Sequence, residues 1–124
     1  MAERRTSLLL IAHGSRRPEA NADLEYVAEA MRIRGRYPIV QVSYLELAEP
    51  DIEAGGALCV AAGATDVVML PYFLSPGKHV VEDLTAARNR LSERFPNVRF
   101  ALAEPLGRHP RLVDVVEERA REAE

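Results

Sequence analysis

The sequence predicts an α/β fold, a doubly wound four-stranded parallel sheet with helices on both faces. Four short apolar or β-branched runs alternate with four stretches in which apolar residues recur at helical spacing. The chain has 124 residues, of which 48% are hydrophobic and 28% charged, and this is the size and composition of one globular domain. We therefore expect a single domain over residues 1–124 with the order βαβαβαβα, joined by right-handed crossovers.

The predicted strands are short and almost continuously apolar, which is typical of parallel strands that are buried on both faces. They cover residues 7–12, 39–45, 66–70 and 98–102. The predicted helices cover residues 19–34, 50–62, 80–95 and 110–120, and a loop over 71–78 precedes the third of them. Gly55 and Gly56 weaken the second helix by roughly 1 kcal/mol each.

Composition excludes several functional classes. The formal net charge is −3, tryptophan is absent and aromatic residues make up 6%, so neither phosphate neutralisation nor base stacking is expected. A single cysteine, Cys59, excludes an internal disulfide and a multi-cysteine metal site, and its apolar neighbours predict a core position. No run approaches the roughly 18 apolar residues that span a bilayer. We expect a cytoplasmic protein that binds neither nucleic acid nor membranes.

Three chemically versatile residues follow the first three predicted strands. His13 closes the first strand, Glu46 closes the second, and His79 comes after the loop that leaves the third. Because the carboxyl ends of parallel strands share one edge of the sheet, these side chains are expected there together. Two imidazoles and a carboxylate predict a three-ligand metal site or a set of proton acceptors. Taken singly, such a histidine is more often a helix-capping or otherwise satisfied polar residue, and Glu46 is more often a charge partner of a helix N-terminus. His109, before Pro110, is expected to serve the start of the last helix.

Two glycine-containing loops at the same edge, residues 13–17 and 75–79, each lead into a predicted helix. Free N–H groups at a helix start attract carboxylate or phosphate, although simple capping explains such loops as well. Neither loop has the spacing of a nucleotide-binding fingerprint, so no nucleotide is assigned. The candidate substrate-binding residues are Ser15, Arg16, Ser75, Gly77 and Lys78.

Four segments of the chain together resemble one enzyme family. In order they read LLLIAHGSRRPEAN, YLELAEPDI, LPYFLSPGKHVVEDL and AEPLGRHPRL, and they cover every predicted strand end. They resemble the sirohydrochlorin chelatases of the short CbiX type, which are related to SirB. The resemblance implies a chelatase-like (flavodoxin-like) fold and a class II chelatase, a lyase that acts in cobalamin or sirohaem biosynthesis.

The resemblance also implies the reaction and its residues. Co²⁺ or Fe²⁺, with Ni²⁺ as a third candidate, is inserted into sirohydrochlorin, and no cofactor is permanently bound. His13 and His79 match the family's active-site histidines, and Glu46 matches its pocket glutamate. The short form implies a homodimer of two half-sized units. A macrocycle also needs a wide cleft, of which one sheet edge supplies a single wall.

Two other functions remain open on the sequence. A metal or tetrapyrrole carrier would keep the same ligands without turnover. A flavodoxin-like phosphate-binding domain would use the two glycine loops, but it leaves His13, His79 and Glu46 without a role.

Overall fold

The computed structural model describes residues 3–124 and confirms the predicted order of elements. All strands are parallel, and their spatial order is β2-β1-β3-β4. The direction of the crossovers therefore reverses between β1 and β3, where ligands bind in doubly wound sheets. The elements are β1 (Thr6–Ala12), α1 (Pro18–Arg34), β2 (Ile39–Tyr44), α2 (Ile52–Ala61), β3 (Asp66–Pro71), α3 (Lys78–Arg94), β4 (Arg99–Leu102) and α4 (Pro110–Glu122).

The central strand β1 supplies two hydrophobic cores, one on each face of the sheet. Leu8 and Leu10 point to the face that α1 covers, and Leu9 and Ile11 point to the face that α2 and α3 cover. All four leucine and isoleucine side chains are buried. This arrangement explains the unbroken apolar run, because a strand covered on both sides has no polar face.

The two glycines of α2 permit close packing. A Cβ on Gly55 would approach the Cβ of Ser43 and a Leu9 methyl group to about 3 Å, and one on Gly56 would lie 2.7 Å from a Leu91 methyl group. The absence of a Cβ at these two positions lowers their helix propensity, and it also allows α2 to lie directly on the sheet and on α3. Cys59, on the same helix, is fully buried as predicted and accepts a hydrogen bond from Ser7 Oγ at 2.9 Å.

Several predicted boundaries were wrong in ways that bear on function. α2 begins at Ile52, because Asp51 caps it by accepting a hydrogen bond from Ala54 N at 2.8 Å. α3 begins at Lys78, so Lys78 and His79 belong to its first turn and not to a loop. No helix within residues 3–124 is long and apolar enough to cross a membrane.

Candidate functional site

The loops that follow β1 and β2 are joined by backbone hydrogen bonds beyond the end of β2. Leu45 N donates to Ala12 O at 3.0 Å, and Glu46 N donates to His13 O at 3.1 Å. Gly14 makes this junction possible, since its φ is +97° and a Cβ there would overlap the carbonyl oxygen of Glu46. The backbone thus holds residue 13 directly beside residue 46.

His13 and Glu46 form the central contact of the site. The Nε2 atom of His13 lies 2.9 Å from Oε1 of Glu46, and the two side chains are 59% and 56% exposed. When the neutral ring carries its proton on Nε2, it donates to the carboxylate and Nδ1 keeps a free lone pair. The pair therefore offers an imidazole nitrogen and a carboxylate oxygen to an incoming ligand.

A cavity of about 300 Å³ opens beside this pair, between the β2–α2 loop and α3. Four carboxylates and one guanidinium line it together with His13, and Arg90 Nε contacts Glu53 Oε1 at 2.9 Å. The excess of carboxylates makes the cavity negative, which favours a cation. The charged lining residues are Glu46, Asp51, Glu53, Asp83 and Arg90.

A second cavity, of about 250 Å³, lies next to His13 on the side of α1. The loop between β1 and α1 lines this cavity and is held by the side chain of Asn21, which accepts a hydrogen bond from Ser15 N at 3.0 Å and donates one to Ser15 O at 2.8 Å. Tyr44 also lines this cavity and donates through its hydroxyl to Asn21 O at 3.3 Å. Burial, and secondly the charge of Glu25, raise the pKa of Tyr44, so its hydroxyl stays a hydrogen-bond donor.

The loops that follow β3 and β4 form a second joined pair. Leu106 N donates to Phe73 O at 3.0 Å, and Ala103 N donates to Met69 O at 2.9 Å. A Cβ on Gly107 would overlap the carbonyl oxygen of Leu74, so glycine is required at this close approach. All four loops at the carboxyl edge are therefore fixed in pairs by their backbones.

The structure does not bring the three predicted ligands together. His79 is 96% exposed, and its Nδ1 lies 3.8 Å from Oε2 of Glu82. Within residues 3–124 no three His, Cys, Asp or Glu side chains are grouped so that they could hold one metal ion. The predicted convergence is thus corrected to a pair, His13 with Glu46. The reason is the spacing of side chains around a helix, in which neighbouring residues point in different directions. Val80 and Asp83 face the cavity, so the adjacent residue 79 points away from it.

The other predicted substrate-binding residues surround the same edge. Ser15 is half-buried, whereas Arg16, Ser75, Gly77 and Lys78 are exposed, and Lys78 Nζ lies 4.0 Å from Glu82 Oε1. Ser15 does not cap α1. Its hydroxyl accepts from Arg17 N at 3.1 Å, and Arg17 occupies the cap position without a side-chain bond. His109 does cap α4, as predicted, by accepting from Arg111 N at 3.2 Å.

The family model that matches this sequence is CbiX, over residues 7–123. The chain belongs to the CbiX family. This membership confirms the resemblance found in the four motif segments. The match covers both joined pairs of loops, so the His13–Glu46 contact and the first turn of α3 are parts of the CbiX domain.

Relatives of this CbiX-family chain differ in length. A chloroplastic sirohydrochlorin ferrochelatase from Arabidopsis thaliana is 38% identical over 90% of this chain and 50% of its own length. A sirohydrochlorin cobaltochelatase from Sulfolobus acidocaldarius is 31% identical over 94% of this chain and 90% of the relative. The chain spans half or less of the length of the first curated relatives that it matches.

A solved structure agrees with the fold. The sirohydrochlorin chelatase SirB from Bacillus subtilis subspecies spizizenii, in complex with cobalt, superposes with a TM-score of 0.86. It is 30% identical, and the match covers 95% of this chain and 50% of that chain. The chelatase-like fold class predicted from the sequence is confirmed.

Sequence reasoning on this CbiX domain missed the acidic lining of the cavity. Asp83 and Arg90 lie seven residues apart on α3 and face the same way, which helical periodicity alone could have shown. Asp51 lies within the segment YLELAEPDI and Glu53 follows it directly, and both fall in the predicted helix over residues 50–62, where neither was given a role in the site. Asn21 left no signal, because its bonds to Ser15 depend on the turn between β1 and α1.

Proposed function

We propose that this chain inserts a divalent metal ion, Co²⁺ or Fe²⁺, into sirohydrochlorin. The observation that carries the proposal is the 2.9 Å contact between His13 and Glu46 in an acidic cavity at the carboxyl edge of the sheet. The names of its relatives, sirohydrochlorin ferrochelatase and cobaltochelatase, support the same reaction. The metal ion is a substrate, and no resident cofactor is needed.

The chemistry requires metal delivery and proton removal. A divalent ion replaces two pyrrole N–H protons, so two protons must leave the macrocycle for each metal that enters. The free Nδ1 of His13 and the second oxygen of Glu46 are the acceptors, or the metal ligands, that the pair provides. One nitrogen cannot bind the metal and a proton at the same instant. Metal binding therefore weakens as the pH falls.

His79 completes the set of site residues in this proposal. Its imidazole is exposed on the first turn of α3, at the same edge of the sheet as His13. We assign it to metal delivery or to proton traffic on the solvent side of the macrocycle. Its exposure supports a role that begins when substrate arrives, because an exposed imidazole exchanges ligands freely.

Lys78 and the glycine loops bind the carboxylates of the macrocycle in this proposal. Sirohydrochlorin carries many carboxylates, and Lys78 is 86% exposed at the start of α3, where N–H groups are also free. Arg16, Ser15, Ser75 and Gly77 are assigned to the same task on either side. The net charge of −3 opposes long-range attraction of this polyanion, so binding depends on these local groups.

The remaining expectations belong to the same proposal. Residues 1–124 form one CbiX-type domain, the protein is cytoplasmic, and it acts as a homodimer. The dimer supplies the second wall that a macrocycle needs.

A metal-by-metal chelation assay tests the proposed function. Sirohydrochlorin is mixed with Co²⁺, Fe²⁺ or Ni²⁺ and catalytic amounts of protein, and the change in absorbance is followed against the uncatalysed rate. Many turnovers per protein are expected with at least one metal. A change that stops at one equivalent identifies a carrier. Phosphate binding that survives loss of His13 and His79, with no chelation, would favour the phosphate-binding domain.

A further inference from the structure

Two residues that are not glycine, Leu47 and Arg108, have a left-handed backbone conformation. Their φ angles are +62° and +64°. Bulky side chains rarely adopt this region, and strain of this kind is concentrated at ligand-binding sites. Leu47 lies in the loop that follows β2, and Arg108 lies in the loop that follows β4. Within residues 3–124, both strained non-glycine positions are therefore at the carboxyl edge that carries the candidate site.

The β2–α2 loop explains the φ angle of Leu47 but not its side chain. Tyr44 N donates a hydrogen bond to Pro50 O at 2.9 Å, so residues 45–49 form a closed loop with Leu47 in the middle. A left-handed position in such a loop favours glycine or asparagine. The leucine is 50% exposed and lies outside both hydrophobic cores. Neither the turn nor the packing of the core therefore accounts for an apolar side chain at this position.

The β4–α4 loop gives the same result for Arg108. His109 N donates to Leu106 O at 3.2 Å, which closes a four-residue turn with Arg108 in its third position. A positive φ at the third position of a turn favours glycine or asparagine. The Arg108 side chain is exposed and forms no ion pair within residues 3–124. The turn thus explains the backbone conformation, and nothing in the folded chain explains the arginine.

The two residues belong to opposite sides of the site. The strand order is β2-β1-β3-β4, so their loops follow the two outer strands, which lie about 14 Å apart at the usual strand spacing. His13 follows β1, one of the two strands between them. Leu47 also lines an open cavity of about 660 Å³, which shares Glu46 with the acidic cavity beside His13. The carboxyl edge thus has an apolar side chain on one side of the His13–Glu46 pair and a guanidinium on the other.

The chemistry of these two side chains selects a ligand that is both apolar and anionic. A divalent ion gains nothing from a leucine and is repelled by an arginine, so neither residue suits the metal. A large flat ring with peripheral carboxylates offers an apolar face to Leu47 and a bidentate partner to Arg108. Contact with such a ring would also bury the apolar surface of Leu47 that the free protein leaves in water. Both side chains therefore match the macrocycle and not the metal ion.

We propose that Leu47 and Arg108 are the outer substrate contacts of the site. Leu47 packs against the macrocycle on the side of the β2–α2 loop, and Arg108 binds a peripheral carboxylate on the side of the β4–α4 loop. The inference rests on the proposed function for the identity of the ligand, sirohydrochlorin. It adds two residues that fix the position of the ring over the His13–Glu46 pair.

Equilibrium binding of metal-free sirohydrochlorin, followed by its absorbance, tests the Leu47 contact. Leu47→Asn removes the apolar contact and should weaken binding about tenfold. Leu47→Met keeps an apolar side chain of similar volume and should retain most of the affinity. The matched control is Leu58→Asn, since Leu58 is 49% exposed on α2, and this variant should bind like the wild type. Equal affinities of Leu47→Asn and the control would overturn this contact.

The same titration at low and high salt tests the Arg108 contact. Arg108→Asn should weaken binding about fivefold at low salt and by less at high salt, because salt screens an exposed charge. The matched control is Arg36→Asn, which removes the same charge at the amino edge, where Arg36 lines a cleft with Asp66. The control should keep the affinity of the wild type. An equal loss in both variants would mean that overall charge holds the carboxylates, and it would overturn the contact with Arg108.

The backbone strain predicts a second effect in the opposite direction. Leu47→Asn and Arg108→Asn replace a disfavoured residue with one that tolerates a left-handed φ, so each should raise the Tm by about 4 °C. Leu58→Asn, in a helix, should not raise it. Lower affinity together with higher stability is the result that damage to the fold cannot produce. Lower affinity with a lower Tm would mean that the two residues act through the fold, and it would overturn the proposal.

Binding and turnover together separate this inference from the proposed function. A wild type that binds sirohydrochlorin without turnover, and whose variants bind it more weakly, would refute chelation and support the two contacts. A wild type that turns over while both variants bind normally would refute the contacts alone. Light scattering of each variant provides the last comparison, and the mass in solution should equal that of the wild type. A changed mass would assign Leu47 or Arg108 to a contact between chains and overturn its role in substrate binding.

Discussion

The two walls of the site are held in different ways, although both lie at the carboxyl edge of one sheet. On the wall formed after β1 and β2, backbone bonds place His13 at 2.9 Å from Glu46. On the wall formed by the start of α3, Lys78 and His79 are 86% and 96% exposed, and Glu82 is the one carboxylate of the described residues with which they pair. The first wall is preorganised, and the second is open to solvent. Preorganised groups lose little freedom on binding, so changes there should have the larger effects.

The largest effect is expected from Gly14→Ala. The substitution puts a Cβ into the carbonyl of Glu46 at a left-handed φ, so it should destabilise the fold by about 3 kcal/mol and abolish chelation. Gly77→Ala on the open wall is the matched control, since nothing lies within 4 Å of a Cβ there. It should cost less than about 1 kcal/mol as a cap change. Urea unfolding and the chelation rate measure both. Equal losses in the two variants would contradict the difference between the walls.

His13→Ala is expected to have the next largest effect. Without its imidazole, Glu46 loses its partner, and the chelation rate should fall by about a hundredfold or more. His109→Ala serves as the control, because that histidine only caps α4 and should cost about 1 kcal/mol of stability with normal chelation. A His13→Ala enzyme with a wild-type rate constant would remove the pair from the mechanism.

The sequence predicted the preorganised wall more completely than the open wall. Strand ends of a parallel sheet are fixed by register, and the βα alternation therefore placed His13 beside Glu46 correctly. The direction in which each side chain of α3 points depends on the residue at which the helix begins. The predicted start was two residues too late, so the sequence did not show that His79 points away from the cavity. Asp83 lines the cavity because of the way α3 docks on the sheet, and the exposure of α4 depends on the arrangement of all the elements. Neither feature can be predicted from local sequence patterns.

His79→Ala should sharpen the role of the open wall. Because the side chain is almost wholly exposed, the free energy of unfolding should not change, while chelation falls at least about tenfold. Steady-state kinetics at varied metal concentration, with urea unfolding in parallel, provide the measurement. Glu82→Gln, which keeps the size of its neighbour, is the companion variant and should have a smaller effect. Full turnover in His79→Ala would leave the second wall without a part in metal insertion.

Lys78→Ala should change substrate affinity rather than turnover. Loss of one exposed charge facing a carboxylate should raise the KM for the tetrapyrrole about fivefold, leave kcat nearly constant and become smaller at high salt. Lys78→Arg should restore most of the affinity. If instead the dependence on metal concentration changed and the tetrapyrrole KM did not, the residue would act on the metal and not on the carboxylates.

The smallest effect on the site is expected from a change at the opposite edge of the sheet, where Asp66 lies. The hydrogen bond from Arg4 and secondly that from Thr65 hold the pKa of Asp66 below its ordinary value, and burial opposes them. Its carboxylate therefore stabilises the fold above the unfolded pKa of about 3.9, and this contribution is lost as the pH falls through the lower folded value. Asp66→Asn should cost about 1 kcal/mol at pH 7 and progressively less below pH of about 4. Urea unfolding across that range measures the convergence.

A difference between wild type and Asp66→Asn that stayed constant from neutral to acid pH would contradict the assigned cause, since an asparagine cannot titrate. At neutral pH the variant should also leave the ratio of the His13→Ala and Lys78→Ala effects unchanged. Asp66 supports β3 and the common scaffold, and a loss shared by both walls cannot alter their ratio. A change in this ratio would mean that the two walls are coupled through the sheet. The position of the open wall would then depend in part on contacts at the amino edge of the sheet.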